Sequence, residues 1–136
     1  SAELLDFDGS KLTPAWTSTE LKSSLNNTVL VGGVLYGIDG RQGSGASRLV
    51  AMTLTDGKVN WSQANFGYGS LIWVGPTLLA LTETGELVSA QASPKGYQEL
   101  GRQQVLGKTC WTTPVFAQDR IYVRNDRGEV VCLSSS

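Results

Sequence analysis

The feature that most constrains the fold of this chain is an internal repeat with a period of 43 residues. The segment DRGEVVCL at residues 126–133 closely copies ETGELVSA at residues 83–90. The same offset aligns three apolar runs, TVLVGG, LIWVGP and PVFAQD, which begin at residues 28, 71 and 114. A repeat of this length is usually one supersecondary unit that buries its apolar face against its neighbours. The sequence therefore predicts an array of similar units within a single domain.

Alignment of the units separates positions for large side chains from positions for small ones. One column holds Tyr36, Leu79 and Tyr122. The turn DGRQGSGAS at residues 39–47 is longer than its counterparts, and allowing for it gives a column of small residues: Ala51, Ser89 and Cys132. Small side chains at a repeated position predict a close approach between neighbouring sheets. A further column, Leu30, Trp73 and Phe116, is predicted to be apolar filling.

The residues within each unit favour β-strands. Short runs rich in Val, Leu, Ile and Tyr alternate with turns that contain Gly, Asp, Asn and Pro. The clearest unit has four such runs, TVLVG, VLYGI, RLVAM and VNWSQ, and no convincing amphipathic helix is present. Four strands in 40–50 residues are typical of a β-propeller blade. We therefore expect an all-β fold built from four-stranded antiparallel blades.

One segment carries a more specific resemblance. LVAMTLTDGKVNW, residues 49–61, resembles the repeat of the pyrroloquinoline-quinone-type (PQQ-like) β-propellers, with Ala51, Gly57 and Trp61 at the characteristic positions. Residues 4–16 resemble a third-and-fourth-strand pair of the same family, with Trp16 in the matching role. The resemblance implies that Trp16 and Trp61 dock one blade against the next. The unit at residues 69–107 lacks the Trp, and Leu100 stands in roughly that place.

The repeat and the resemblance together divide the chain into four parts. Residues 1–24 are the third and fourth strands of one blade, 25–68 and 69–108 are blades, and 109–136 are an incomplete blade. Propellers typically need four to eight blades to close. We therefore expect a partial propeller, either the C-terminal piece of a larger ring or a half-propeller that is completed by oligomerisation. Open blade edges invite pairing with another chain, so self-association is expected.

Composition narrows the classes of function. The net charge is −1 and only 17% of residues are charged, so no excess of positive charge is available to bind nucleic acid. The apolar runs are shorter than the roughly 20 residues of a membrane span. The chain has no histidine, the commonest general base and metal ligand. Cys110 and Cys132 are either two small buried residues or a single bridge. No catalytic residue, metal or cofactor is predicted.

Several motifs are better explained as turns than as sites. The turn at residues 39–47 is rich in Gly and Ser but lacks the Gly-Lys-Ser/Thr ending of a phosphate loop. As the longest blade loop it is still a candidate contact surface, through Arg41 and Gln42. DFDG at residues 6–9 lacks the later ligands of a calcium loop and is predicted to be a turn. Glu83, Glu86, Asp126 and Glu129 lie at repeat-equivalent turn positions, and Glu86 and Glu129 share a column, which favours solvated turn residues over a paired-carboxylate site.

Trp111 is the tryptophan expected to face solvent, because it just precedes an inner strand near an axis or an interface. The sequence favours a non-catalytic scaffold that presents loops to a protein or a ligand. One alternative is the C-terminal part of a quinone-dependent dehydrogenase, and another is a carbohydrate-binding propeller. Quinone enzymes of the family often carry an adjacent cysteine pair, which is absent here. Non-enzymatic relatives include a periplasmic lipoprotein that assists outer-membrane β-barrel assembly, so the resemblance implies a periplasmic or extracellular location.

Overall fold

The computed structural model describes residues 1–134, and these fold into β-strands without any helix. The strands are β1 (Ala2–Phe7), β2 (Leu12–Ser18), β3 (Thr28–Val31), β4 (Val34–Gly40), β5 (Ser47–Thr53), β6 (Val59–Ala64), β7 (Gly69–Val74), β8 (Thr77–Thr82), β9 (Glu86–Ser93), β10 (Gly96–Gln104), β11 (Val115–Ala117), β12 (Arg120–Arg124) and β13 (Val130–Ser134). No helix in this part of the chain could span a membrane. The predicted all-β fold is confirmed.

The strands form four antiparallel sheets, and within each sheet neighbouring strands pair in chain order. The first sheet is β1–β2, the second is β3–β6, the third is β7–β10 and the fourth is β11–β13. The hairpin between β3 and β4 turns through Gly32 and Gly33, which have φ angles of 56° and 77°. Two consecutive positive φ angles are typical of the type I′ turn that suits a twisted hairpin. Gln118 and Asp119 adopt the same conformation, with φ angles of 51° and 58°, at the repeat-equivalent turn between β11 and β12.

Strand register confirms the two principal columns of the repeat. In each of the last three sheets the large residue on the second strand pairs with the small residue on the third strand: Tyr36 with Ala51, Leu79 with Ser89, and Tyr122 with Cys132. The small side chain leaves room for the large one opposite it on the same face of the sheet. The repeat found in the sequence is therefore a repeat of strand pairing as well as of strand order.

The expected place of Leu100 is wrong by one residue. Trp61 pairs with Ala51, Trp16 pairs with Leu4, and Gly101 pairs with Ser89. Each fourth strand carries a β-bulge next to this pair, and Leu100 occupies the bulge of β10 with 52% of its surface exposed. A bulge inserts one unpaired residue, and counting along the sequence does not reveal its position. Gly101 therefore stands in the tryptophan column.

Consecutive sheets pack face to face through separate apolar clusters. The cluster between the second and third sheets includes Tyr36, Leu49, Ala51, Leu71, Ala80 and Val88. Val50 and Met52 alternate with Leu49 and Ala51 along β5, so they lie on the opposite face of the second sheet. There they pack with Trp16 of the first sheet. Leu81 of the third sheet packs with Val123 of the fourth sheet. The second and third sheets are therefore blades that each bury their two faces against different neighbours, whereas the first and fourth sheets each bury one face.

Both cysteines are free. Cys110 is buried beside Leu106, as expected of a small apolar residue. Cys132 is exposed on β13, so its predicted burial is wrong and the bridge that the sequence left open does not form. The reason is positional, because the fourth sheet is the last described sheet and no blade covers the face that carries Cys132.

Candidate functional site

Two of the residues singled out in the sequence, Gln42 and Trp111, line the same cavity. This loop-face cleft has a volume of about 450 Å³. The loop between β4 and β5, the loop between β8 and β9, and the segment that joins the third sheet to the fourth supply its lining residues, which are Gln42, Gly43, Gly45, Glu83, Thr84, Lys108, Thr109 and Trp111. Loops held by rigid sheets are where propellers and other β-folds carry their binding residues. The cleft is therefore the candidate site.

The loop between β4 and β5 forms one wall of the cleft. Gly43 donates its backbone N–H to Oε1 of Glu83, at 2.8 Å, across to the third sheet. The hydroxyl of Ser44 donates to the carbonyl of Arg41, at 2.8 Å. At the base of the loop, Nε of Arg48 lies 3.0 Å from Oδ2 of Asp39. These contacts hold the longest blade loop in one arrangement against the neighbouring sheet.

The segment that joins β10 to β11 forms the opposite wall. Cys110 donates its N–H to the carbonyl of Glu83, at 2.9 Å, and burial raises the pKa of its thiol. Thr109 donates to Oδ1 of Asp126 at 3.1 Å, and Asp126 donates its own N–H to the carbonyl of Thr109 at 2.8 Å. The backbone that immediately precedes Trp111 is thus tied down, while 51% of the Trp111 surface remains exposed.

Arg41 lies beside the cleft rather than inside it. It lines an adjoining cavity of about 480 Å³ together with Ser24 and Leu25, and the two cavities share Gln42 and Gly43. The cleft itself carries one carboxylate, Glu83, and one ammonium group, Lys108. An exposed indole flanked by charges of both signs and by backbone groups suits recognition of an amphipathic segment.

Sequence reasoning did not assign Glu83 or Lys108 to a site. Glu83 was expected to be a solvated turn residue, whereas it bridges two sheets by accepting from Gly43. The only feature of the sequence that points to a role for Lys108 in the site is its closeness to Trp111 along the chain. By contrast, Glu86 and Glu129 lie apart from the cleft, where Glu86 is 3.5 Å from Nη1 of Arg102 and Glu129 is 3.6 Å from Nη2 of Arg127.

The predicted turn at residues 6–9 is observed in part, since Asp6 and Phe7 end β1 and residues 8–11 form the connection to β2. Oδ1 of Asp8 accepts from the backbone N–H groups of Lys11 and Ser10, both at 2.9 Å. These hydrogen bonds lower the pKa of the Asp8 carboxyl, and the bond from Lys11 has the larger effect. The carboxylate is therefore used to stabilise the connection between β1 and β2.

Trp16 and Trp61 make the same contact at successive steps of the repeat. Trp16 donates its indole N–H to the carbonyl of Leu54, at 2.7 Å, and Trp61 donates to the carbonyl of Ser93, also at 2.7 Å. Leu54 directly follows β5 and Ser93 is the last residue of β9, so both acceptors lie where the third strand of the following sheet ends. The ring of Trp61 lies between Tyr36 and Tyr97, with centroid distances of 6.1 and 5.9 Å. The predicted docking role therefore has a definite geometry to test.

Comparison with known proteins identifies the fold. No protein-family model matches the chain, and no curated protein does. Among solved structures, BamB from Moraxella catarrhalis is similar with a TM-score of 0.70 and 19% identity, over 96% of this chain and 37% of BamB. A europium-containing methanol dehydrogenase is similar with a TM-score of 0.64 and 16% identity, over 88% of this chain and 24% of the enzyme. These likenesses show a β-propeller fold, and this chain corresponds to less than half of the length of either protein.

Proposed function

We propose that this chain is a non-catalytic β-propeller scaffold that binds a protein segment in the loop-face cleft. One observation carries the proposal: two loops, one each from the second and third sheets, and the segment that joins the third sheet to the fourth bring the exposed ring of Trp111 together with Gln42, Glu83 and Lys108 in one cavity. An exposed tryptophan in a preformed concave surface is the kind of residue on which binding energy concentrates in protein interfaces.

The contacts behind the cleft explain why it suits binding. Both walls are fixed by backbone hydrogen bonds to Glu83, from Gly43 on one side and from Cys110 on the other. A ligand therefore meets a surface that loses little conformational freedom when it binds, and preorganisation of this kind increases affinity. Thr84, Thr109 and Lys108 supply hydrogen-bonding groups around the indole ring.

Selection of peptides against the chain, followed by calorimetry, tests the proposal. We expect selected peptides to bind the unmodified chain and to lose about 30-fold in affinity to Trp111→Ala, which is the effect of a typical hot-spot residue. The matched control is Leu100→Ala, because Leu100 is 52% exposed but lies on β10. Peptides that bind Trp111→Ala and the unmodified chain equally well would contradict the proposal.

A quinone-dependent dehydrogenase is the second candidate, favoured by the likeness to a methanol dehydrogenase. Titration of the chain with pyrroloquinoline quinone and calcium distinguishes it, since a change in the quinone absorbance would favour the enzyme over the scaffold. The exposed ring of Trp111 could equally stack on a sugar. Saturable binding of an oligosaccharide that is lost in Trp111→Ala would favour a carbohydrate-binding propeller instead.

The proposal includes a location and a tendency to assemble. A periplasmic or extracellular location follows from the family resemblance in the sequence. Self-association is supported by large apolar side chains that are exposed at both ends of the array, such as Phe7 at 67% and Val130 at 64%. Sedimentation of the purified chain over a concentration series tests the second point, and a mass of one chain throughout would contradict it.

A further inference from the structure

The fourth sheet exposes a face that the second sheet buries. We call the face of a sheet that points towards the next sheet its forward face. In the second sheet the forward face carries Val29, Tyr36, Ile38, Leu49 and Ala51. The paired strands of the fourth sheet place Val115, Tyr122, Arg124, Val130 and Cys132 at the same positions. The two faces therefore have the same register and four of the five positions keep an apolar or aromatic side chain or a thiol.

Burial separates these equivalent faces sharply. Tyr36 is 1% exposed and Leu49 is 0% exposed, because the third sheet covers them. Val115 is 56% exposed and Val130 is 64% exposed. A hollow of about 120 Å³ opens on the same face beside Tyr122. A face with the pattern of a blade interior thus lies open to solvent.

The opposite end of the array exposes the complementary face. We call the face that points towards the preceding sheet the backward face. In the first sheet it carries Leu5, Phe7 and Leu12, which are 41%, 67% and 56% exposed. Strand register places Leu5 at the position of Met52, which is 0% exposed on the backward face of the second sheet. The chain therefore carries one unpartnered face of each kind.

The charged residues on the two open faces have opposite signs, since Arg120 and Arg124 lie on the forward face of the fourth sheet and Glu3 lies on the backward face of the first sheet. Arg124 stands at the position of Ile38, and Glu3 stands at the position of Val88 on the third sheet. Ile38 and Val88 belong to one cluster between the second and third sheets. A forward face that meets a backward face in the same way would bring the Arg124 guanidinium near the Glu3 carboxylate. Opposite charges at matching positions favour this pairing over two like faces.

We propose that a second copy of this chain docks head to tail, with its first sheet covering the forward face of the fourth sheet. This inference rests on the proposed self-association and names the surfaces that carry it. Two copies hold eight sheets over residues 1–134, since these residues form four in each chain. Propellers close with four to eight blades, so two identical contacts complete a ring with twofold symmetry. Closure leaves neither open face exposed.

Sedimentation equilibrium on the unmodified chain and on charge variants tests the arrangement. We expect a dimer with twice the 14.5 kDa chain mass. Phe7→Glu and Val130→Glu each place a charge in the contact and should raise the dimer dissociation constant roughly 100-fold. Leu30→Glu is the matched control, because Leu30, which the sequence wrongly predicts to be apolar filling, is 54% exposed and lies on neither open face. Far-ultraviolet circular dichroism establishes that each variant keeps its fold.

Two further experiments test the head-to-tail direction. An equimolar mixture of Phe7→Glu and Val130→Glu retains one unmodified contact, so it should form more dimer than either variant alone. Arg124→Glu should weaken the dimer, and the combination Arg124→Glu with Glu3→Arg should restore it. A contact between two forward faces would be insensitive to Phe7→Glu, and that result would overturn the proposal.

The outcomes separate this inference from the proposals on which it depends. A dimer that persists in both Phe7→Glu and Val130→Glu would overturn the head-to-tail contact while self-association stands. A monomeric unmodified chain would overturn both, and open-ended assembly into larger particles would overturn closure by two copies. Peptide binding in the loop-face cleft is measured on the same variants and is expected to be unchanged, since none of the substituted residues lines the cleft.

Discussion

Replacement of Trp61 by Ala should uncouple the second and third sheets. The Trp61 ring is half-buried between Tyr36 and Tyr97, and its indole N–H donates to the carbonyl of Ser93 at 2.7 Å. In repeat architectures the contact between neighbouring units supplies much of the stability of each unit. Trp61→Ala removes both the aromatic packing and the hydrogen bond, so its effect measures this docking contact directly.

The expected magnitude follows from the burial of the ring. Loss of a fully buried Phe or Trp side chain costs about 3–5 kcal/mol. Because the Trp61 ring is partly exposed, we expect Trp61→Ala to lower the free energy of unfolding by about 2–3 kcal/mol, with the hydrogen bond to Ser93 contributing about 1 kcal/mol of that. Trp61→Phe keeps an aromatic ring but loses the donor, so it should cost about 1 kcal/mol.

Urea unfolding followed by far-ultraviolet circular dichroism measures these changes without relying on tryptophan fluorescence. With a typical slope of about 1–3 kcal/mol per molar urea, the midpoint of Trp61→Ala should fall by about 1–2 M. Trp111→Ala is the control and should change the free energy of unfolding by less than about 0.5 kcal/mol, because Trp111 is exposed. Equal effects of Trp61→Ala and Trp111→Ala would refute the docking role.

Three further predictions concern single positions. Gly57→Ala should destabilise the fold by about 1–3 kcal/mol, because φ is +68° there and a Cβ atom would lie 2.7 Å from Cε3 of Trp16. Measured by urea unfolding, this loss of stability should exceed that of Gly75→Ala, where φ is +56° and no atom lies within 4 Å of the added Cβ. Burial, assisted by Glu99, raises the pKa of Tyr97. The stability contributed by the neutral phenol should therefore be complete below the unfolded-state pKa of about 10 and should fall above it. If the melting temperature of Tyr97→Phe declined between pH 10 and 12 as steeply as that of the unmodified chain, this prediction would be contradicted. In dilute native protein a thiol reagent should label Cys132 first, and Cys110 should react only on unfolding, since burial raises the pKa of its thiol; equal labelling rates would show that Cys110 is accessible.

The sequence was sufficient to predict the repeated order of strands and the columns of equivalent positions, because the repeat records the pattern of burial. Tyr36 and Ala51 belong to two separate columns in the sequence, and the structure adds that these two columns pair across neighbouring strands. The β-bulge at Leu100 could not be predicted, because an unpaired residue leaves no mark in composition or period. Cys132 was expected to be buried by analogy with Ala51, and it is exposed because no described sheet follows the fourth.

The candidate site was predicted only in part, and the reason lies in how it is built. Gln42 and Trp111 were each selected from their own loops, but their convergence on one cavity depends on the packing of three sheets. The role of Glu83 depends on a hydrogen bond from Gly43, which is 40 residues earlier in the chain. Such contacts arise from tertiary structure and have no local signature.

The most direct test of the proposed scaffold is a nuclear magnetic resonance titration of the chain with a selected peptide, observed at the four tryptophan indole N–H groups. The indole groups of Trp16 and Trp61 donate to carbonyls between sheets, whereas the Trp111 ring is exposed in the cleft. We predict that the Trp111 signal shifts in proportion to binding while the signals of Trp16 and Trp61 stay in place. A peptide that binds without moving the Trp111 signal would contradict the assignment of the loop-face cleft as the binding site.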